Sequence, residues 1–144
     1  MIDDLYSTKI LALAANMPLA GRLSQPQASA EKVAKLCGSR IIVDLNLDNG
    51  AVSEFAQDVQ ACALGQASAA VLGAHVIGSS IDEIRQARDA LRAMLKDGGP
   101  VPIGRFQDLA ALELVRDYPA RHASTLLAFE AALTAAELAR DSST

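Results

Sequence analysis

Two cysteines, Cys37 and Cys62, are the residues whose chemistry stands out in this sequence. Thiolates are the ligands that soft metals and iron–sulfur clusters require, so two cysteines brought together could hold either. Their separation, from position 37 to position 62, is not the spacing of a zinc ribbon, which has closely spaced cysteine pairs. The alternative is that both thiols are small buried hydrophobic groups.

The composition restricts the class of protein. A chain of 144 residues is long enough for a core without disulfides, and we expect one domain over residues 1–144. The net charge of −4 gives no electrostatic footprint for nucleic acid or anionic lipid. The sequence shows no secretory signal and no apolar run of about 20 residues, so we expect a cytoplasmic protein with reduced thiols and no membrane partner.

Hydrophobic periodicity and turn signals indicate where the chain forms helices and strands. The strands are grouped together instead of alternating with helices, which predicts an α+β fold: a small antiparallel β-sheet with helices packed on one face. The predicted segments, in order, are a helix (4–16), an exposed loop (24–35), a strand (41–47), a turn (48–50), a strand (51–59) and helices at 62–77, 81–95, 106–116 and 120–140.

The register of the predicted hairpin follows from which side chains must be buried. A two-residue loop would place Glu54 opposite Leu45 on the buried face. A three-residue loop (48–50) instead pairs Asp44 with Glu54 on a solvent face, where two carboxylates cost little. We therefore predict the three-residue loop.

The hairpin also predicts where the two cysteines lie. Cys37 begins the first strand, and Cys62 opens the helix that follows the second strand. A hairpin brings those two chain segments to the same end of the sheet. At the start of a helix, Cys62 also gains from the helix dipole, which favours a thiolate. We predict that both cysteines lie at one end of the molecule, close enough to share one metal or cluster.

Several motifs, taken in order, resemble the NifU/IscU family of iron–sulfur cluster assembly scaffolds over nearly the whole chain. They are LCGSR, the hairpin, ACALGQAS at the start of a helix and YPARHASTLLAF at the start of the last helix. NMPLAGRL is similar to the family's Asn-Pro-Arg-Asn…Gly turn. The motif YPAR and the long segment between Cys62 and ARHAST resemble the Suf-type member of the family. The Leu-Pro-Pro-Val-Lys motif of the Isc-type member is absent. The resemblance implies an α+β sandwich with an antiparallel sheet.

The resemblance implies metal ligands at Cys37 and Cys62, but it also exposes two substitutions. The aspartate of the family's Cys-Gly-Asp motif is Ser39 here, and the third cysteine is Ser124. A serine hydroxyl is a poor ligand for iron or zinc because it is neutral and hard. Ordinary surface or helix-capping roles are the alternative for both serines.

Two further residues near the start of the last helix are candidates for the same site. In the Isc-type a histidine directly precedes the third cysteine, whereas here Ala123 stands at that position and His122 lies one place earlier. His122 could still substitute as a ligand. Arg121 matches a basic position of the family motif and could hold sulfide or a persulfide by its charge. His75 is excluded, since it lies about 20 Å along its helix from Cys62.

These features predict an iron–sulfur cluster assembly scaffold or carrier that accepts sulfur and iron at a two-cysteine site and is not itself an enzyme. The expected cofactor is a transient, labile iron–sulfur cluster, with zinc as the other metal. The resemblance implies a cysteine desulfurase as sulfur donor and apo-proteins as acceptors, and it leaves a homodimer open. The alternatives are a zinc-dependent sulfurtransferase of the Suf type and a degenerate member that acts only through protein contacts.

Overall fold

The computed structural model describes residues 7–36 and 38–142, which form an open three-stranded sheet with helices packed against it. The strands are antiparallel in the order β1-β2-β3. The last helix, α4, packs on β1 and β2, and both α2 and α3 pack against α4. This confirms the predicted α+β class. The elements are α1 (Thr8–Ala15), β1 (Ala28–Ala34), β2 (Ser39–Asp48), β3 (Ala51–Gln60), α2 (Ala63–His75), α3 (Ile81–Lys96), 3-10 helices at Gly104–Asp117 and Pro119–Arg121, and α4 (His122–Ser142).

The helix boundaries follow from local capping chemistry. Helix α1 begins after Ser7, whose hydroxyl accepts a hydrogen bond from the Ile10 N–H, and residues 4–6 of the predicted helix lie outside the described residues. Ser80 and Glu83 form a capping box at the start of α3, which satisfies two backbone N–H groups reciprocally. The segment predicted as a helix at 106–116 is a 3-10 helix instead. None of the described helices is long and apolar enough to cross a membrane.

Strand β1 replaces the exposed loop that the sequence predicted at 24–35. Its residues alternate, with Ala28, Ala30 and Ala34 buried and the residues between them mostly exposed. It pairs with β2 over its whole length. Alanine is depleted in strands, so this alternation of alanine with charged residues was a weak signal, and pairing with β2 decided the conformation.

The hairpin between β2 and β3 has a two-residue loop, so the predicted three-residue loop is wrong. Asn49 and Gly50 both have positive φ, 54° and 80°, as a tight turn compatible with strand twist requires. A bulge at Ser53 then shifts the register by one residue. As a result Leu45 faces Phe55 and both are buried, although the loop is short.

Asp44 is buried, which corrects its predicted place on a solvent face opposite Glu54. Its carboxylate accepts hydrogen bonds from the Arg22 guanidinium at 2.6 and 3.0 Å, the Ser29 hydroxyl at 2.5 Å and the Leu23 N–H at 3.0 Å. Burial alone would raise the pKa of Asp44, but these hydrogen bonds and the charge of Arg22 outweigh it and lower the pKa. The segment that carries Arg22 is thereby fastened to the sheet.

Candidate functional site

The start of β2 and the end of β3 lie at the same end of the sheet, as the hairpin argument requires. Arg40 pairs with Gln60, so Ser39 at the first position of β2 lies beside the exit of β3. Cys62 follows two residues after β3 and is the N-cap of α2. A single hairpin and a two-residue connection therefore place Ser39 and Cys62 at the same end of the sheet.

Ser124, from the first turns of α4, joins these two residues. Its hydroxyl oxygen lies 3.1 Å from Ser39 Oγ and 3.3 Å from Cys62 Sγ, so the three side chains form one hydrogen-bonded chain. Ser39 and Ser124 are buried, with 1% and 0% of their surface exposed, whereas Cys62 is half-buried. The half-buried thiol thus lies against the buried hydroxyl of Ser124, which in turn contacts that of Ser39.

Gly65 allows this close approach and was not identified as a site residue from the sequence. A Cβ at this position would lie 2.8 Å from Ser124 Oγ, 2.8 Å from Ala61 Cβ and 3.1 Å from the Ser124 carbonyl oxygen. Only glycine leaves room for α4 to lie this near to the first turn of α2. The signal was present in ACALGQAS, since a glycine inside a buried helix often marks close backbone packing.

Cys37, the other predicted ligand, lies outside the described residues. Its distance to Cys62 therefore stays a prediction. Along the sequence it stands two residues before Ser39.

His122 and Arg121 lie at the start of α4 but make other contacts. The Nε2 atom of His122 lies 3.0 Å from the Val115 carbonyl oxygen and 3.3 Å from that of Arg116. This geometry makes Nε2 a donor to the end of the 3-10 helix, so that nitrogen could bind a metal only if it gave up these bonds. Arg121 is half-buried, and its carbonyl oxygen accepts a hydrogen bond from Thr125 Oγ1.

The donor atoms at this site fit a metal ion poorly without a further thiol. Within residues 7–36 and 38–142, no three histidine, cysteine, aspartate or glutamate side chains are grouped so that they could hold a metal. Cys62 supplies the one soft donor there, and both neighbouring oxygens are neutral hydroxyls that hydrogen-bond to each other. Binding of iron at this site would need further ligands from Cys37, from a second chain or from both.

Comparisons with known proteins agree with this architecture. A family model described as the NifU-like N terminal domain matches residues 5–125. The iron–sulfur cluster assembly scaffold protein IscU of Thermotoga maritima is 25% identical over 126 residues, 88% of each chain. A nitrogen-fixing NifU-like protein (N-terminal) from Brucella abortus has a crystal structure with a TM-score of 0.95 and 50% identity, covering 97% of both chains.

A second solved structure shares the fold at lower identity. It is a putative iron–sulfur cluster assembly scaffold protein for the SUF system from Fervidobacterium islandicum, with a TM-score of 0.84 and 20% identity, covering 92% of this chain and 96% of the other. The family match covers most of the chain, and the Brucella structure agrees with it in both sequence and fold. The resemblance seen in the motifs is confirmed: the chain belongs to the NifU-like N-terminal domain family of iron–sulfur cluster assembly scaffolds.

Proposed function

We propose that this protein acts in iron–sulfur cluster assembly as a carrier that accepts sulfur at Cys62 and holds iron with Cys37. One observation carries the proposal: the half-buried Cys62 thiol lies 3.3 Å from Ser124, which lies 3.1 Å from Ser39. These are three of the four positions that the family resemblance assigns to ligands. These contacts around a thiol support the proposal, although two of the positions carry serine.

The chemistry that this site supports best is transfer of sulfane sulfur. The Cys62 thiolate attacks the terminal sulfur of a persulfide on a donor protein, and the donor's S–S bond breaks as a new S–S bond forms on Cys62. The donor leaves as a thiolate, so no outside oxidant or reductant is needed. A cysteine desulfurase is the donor that the family implies, and apo-proteins are the acceptors.

Iron and any assembled cluster are cargo in this proposal and not a resident cofactor. Clusters are held by four thiolates, and this chain has two cysteines. A cluster held by Cys37 and Cys62 is therefore labile on a single chain. A zinc-dependent sulfurtransferase is less well supported, since a zinc site needs four ligands or three with an open position.

A degenerate member that acts only through protein contacts is the second candidate. The buried Ser39–Ser124 hydrogen bond favours it, because the two positions satisfy each other without any ion. The two candidates differ in whether Cys62 carries sulfur.

Anaerobic incubation with a cysteine desulfurase and cysteine, followed by mass spectrometry of the intact chain, separates the candidates. We expect one added sulfur on Cys62, lost in Cys62→Ala and kept in Ser53→Ala, whose side chain is exposed near the other end of β3. Iron bound per chain is measured on the same samples. If the wild-type protein gains neither sulfur nor iron, the result contradicts the carrier function and supports the member that acts only through protein contacts.

A further inference from the structure

A groove of about 330 Å³ separates the edge of the sheet from α3. Lys32 and Val33 of β1 form one wall, Arg92 and Lys96 of α3 form the other, and α4 forms the floor with Leu126 and Leu127. The two leucines are buried, with 4% and 5% of their surface exposed. The groove therefore combines an apolar floor with walls that carry polar, charged side chains.

One wall of the groove is an open strand edge. In the part of the chain that the structure describes, β1 has β2 as its sheet neighbour, and residues 28–33 make no backbone hydrogen bond outside that pairing. Val33 is 53% exposed at this edge. By contrast, β3 has the segment around Leu19 and Gly21 hydrogen-bonded to Gln57. An open edge beside a groove is the geometry to which an extended peptide adds as a further strand.

The charges around the groove decide what kind of segment fits it. Lys32 and Lys96 form no ion pair with the described residues. The groove's carboxylate, Glu130, is bonded both by Arg92 at 3.0 Å and by Arg88 at 3.1 Å. Three cations thus line the groove against one carboxylate that is already shared, in a chain whose net charge is −4. Charge complementarity selects an acidic occupant.

A second copy of this chain fits the edge less well. Antiparallel pairing of two full β1 strands would place Glu31 opposite the same glutamate of the other copy. Like charges directly opposite each other destabilise a strand pair. The two basic grooves would also lie side by side.

We propose that an extended acidic segment of a partner protein adds as a fourth strand to β1 and lies in this groove. Its carboxylates lie on the strand face turned toward α4 and approach Lys32 and Lys96, because Lys32 shares that face of β1 with Ala30 and Ala34. Its intervening side chains lie on the opposite face, beside Val33. Ala123, which also lines the groove, directly precedes Ser124, so the partner would be held beside the Cys62 site. The proposal is independent of which cargo Cys62 carries.

The test uses the full chain and a short, terminally blocked peptide that alternates glutamate with valine. Fluorescence anisotropy measures its binding, and amide hydrogen exchange of residues 28–34 reports whether β1 gains a strand. We expect the charge-reversed variant Lys32→Glu/Lys96→Glu to bind the peptide about tenfold more weakly or worse. Lys9→Glu/Lys35→Glu carries the same charge change on exposed residues that do not line the groove and should bind like wild type.

Three outcomes would overturn the proposal. They are equal binding of a peptide with lysine in place of glutamate, unchanged binding by the groove variant, and no protection of the β1 amides in the saturated complex. Absence of binding at about 1 mM peptide also overturns it. Circular dichroism of each variant establishes that a loss of binding does not come from unfolding.

Discussion

Ser124 lies at the position where the family resemblance implies a cysteine ligand. The hydroxyl lies within hydrogen-bond distance of both Cys62 and Ser39 and is fully buried. A cysteine at the same place would offer a soft anionic donor, whereas serine offers a neutral one. At this one position, the difference between a soft anionic donor and a neutral hydrogen-bonding group is one atom, sulfur in place of oxygen.

Restoring the family's donors should convert this cluster into a metal site. In Ser39→Asp/Ser124→Cys, two anionic donors would join Cys62 where two hydroxyls now lie, so we expect zinc affinity to rise by about tenfold or more. Competition with a colorimetric chelator measures this affinity. The control, Ser24→Asp/Ser53→Cys, makes the same substitutions at exposed positions and should leave it unchanged. Equal affinities for the two variants would show that residue 124 does not face a metal site.

Asp44 is a buried carboxylate whose charge is held by several hydrogen bonds. Asp44→Asn removes a carboxylate that accepts four hydrogen bonds, two of them from Arg22, and we expect a loss of about 1–3 kcal/mol in the free energy of unfolding at pH 7. Urea unfolding of both proteins measures the loss. Asp48→Asn, an exposed carboxylate in the hairpin, is the matched control.

The same residue gives a pH dependence of defined sign. The pKa of Asp44 is lower in the folded protein than its ordinary value of about 3.9. Its contribution is therefore fully present above about pH 4 and is lost as the pH falls through the folded pKa. The stability difference between wild type and Asp44→Asn should stay constant from about pH 8 to pH 5 and shrink below about pH 4. A difference that grew on acidification would contradict this account.

At the scale of elements, the approach of α2 to α4 sets the geometry of the site. Gly65→Ala would place a Cβ 2.8 Å from Ser124 Oγ and from Ala61 Cβ. Overpacking costs about 1–3 kcal/mol and outweighs the helix propensity that alanine gains. We expect a net loss of about 1 kcal/mol in urea unfolding and slower reaction of Cys62 with a donor persulfide, because Ser124 is pushed aside.

Gln66→Ala provides the control on the same helix, since Gln66 is only partly buried. It should react with the persulfide as wild type does. If Gly65→Ala were as stable and as reactive as this control, the close contact between α2 and α4 would have no role at the site.

The elements also show what the sequence could and could not predict. Hydrophobic periodicity and turn signals located the α-helices and strands β2 and β3, because those signals are local. Strand β1 was missed because its inward residues are alanines, which carry little strand preference, and its conformation depends on β2. The hairpin register failed for a related reason: the bulge at Ser53 compensates for a two-residue loop, and face alternation alone does not reveal a bulge.

The site residues also divide into those whose positions the sequence could predict and those whose positions it could not. The hairpin argument correctly brought the start of β2 to the end of β3, because antiparallel connectivity dictates it. Ser39 and Cys62 are joined there through Ser124. The direction of the His122 ring could not be predicted, since it depends on carbonyl groups at the end of the 3-10 helix. Residues placed by topology were predictable, and those placed by side-chain packing were not.

At the scale of the whole molecule, the number of thiols limits what one chain can hold. Two cysteines per chain cannot supply the four thiolates of an iron–sulfur cluster, while two chains can. Any cluster should therefore bridge two chains, and its occupancy should depend on protein concentration. Mass action then makes the cluster labile on dilution.

Anaerobic reconstitution with iron, sulfide and a cysteine desulfurase should load at most about half a cluster per chain. Iron and sulfide analysis gives the stoichiometry, and sedimentation velocity should show the cluster moving with a dimer. Cys62→Ala should lose the cluster because half of the bridging thiolates disappear, whereas Ser53→Ala should keep it. One stable cluster on each monomer would contradict the two-thiolate account, since the missing ligands would then have to come from oxygen or nitrogen donors of the same chain.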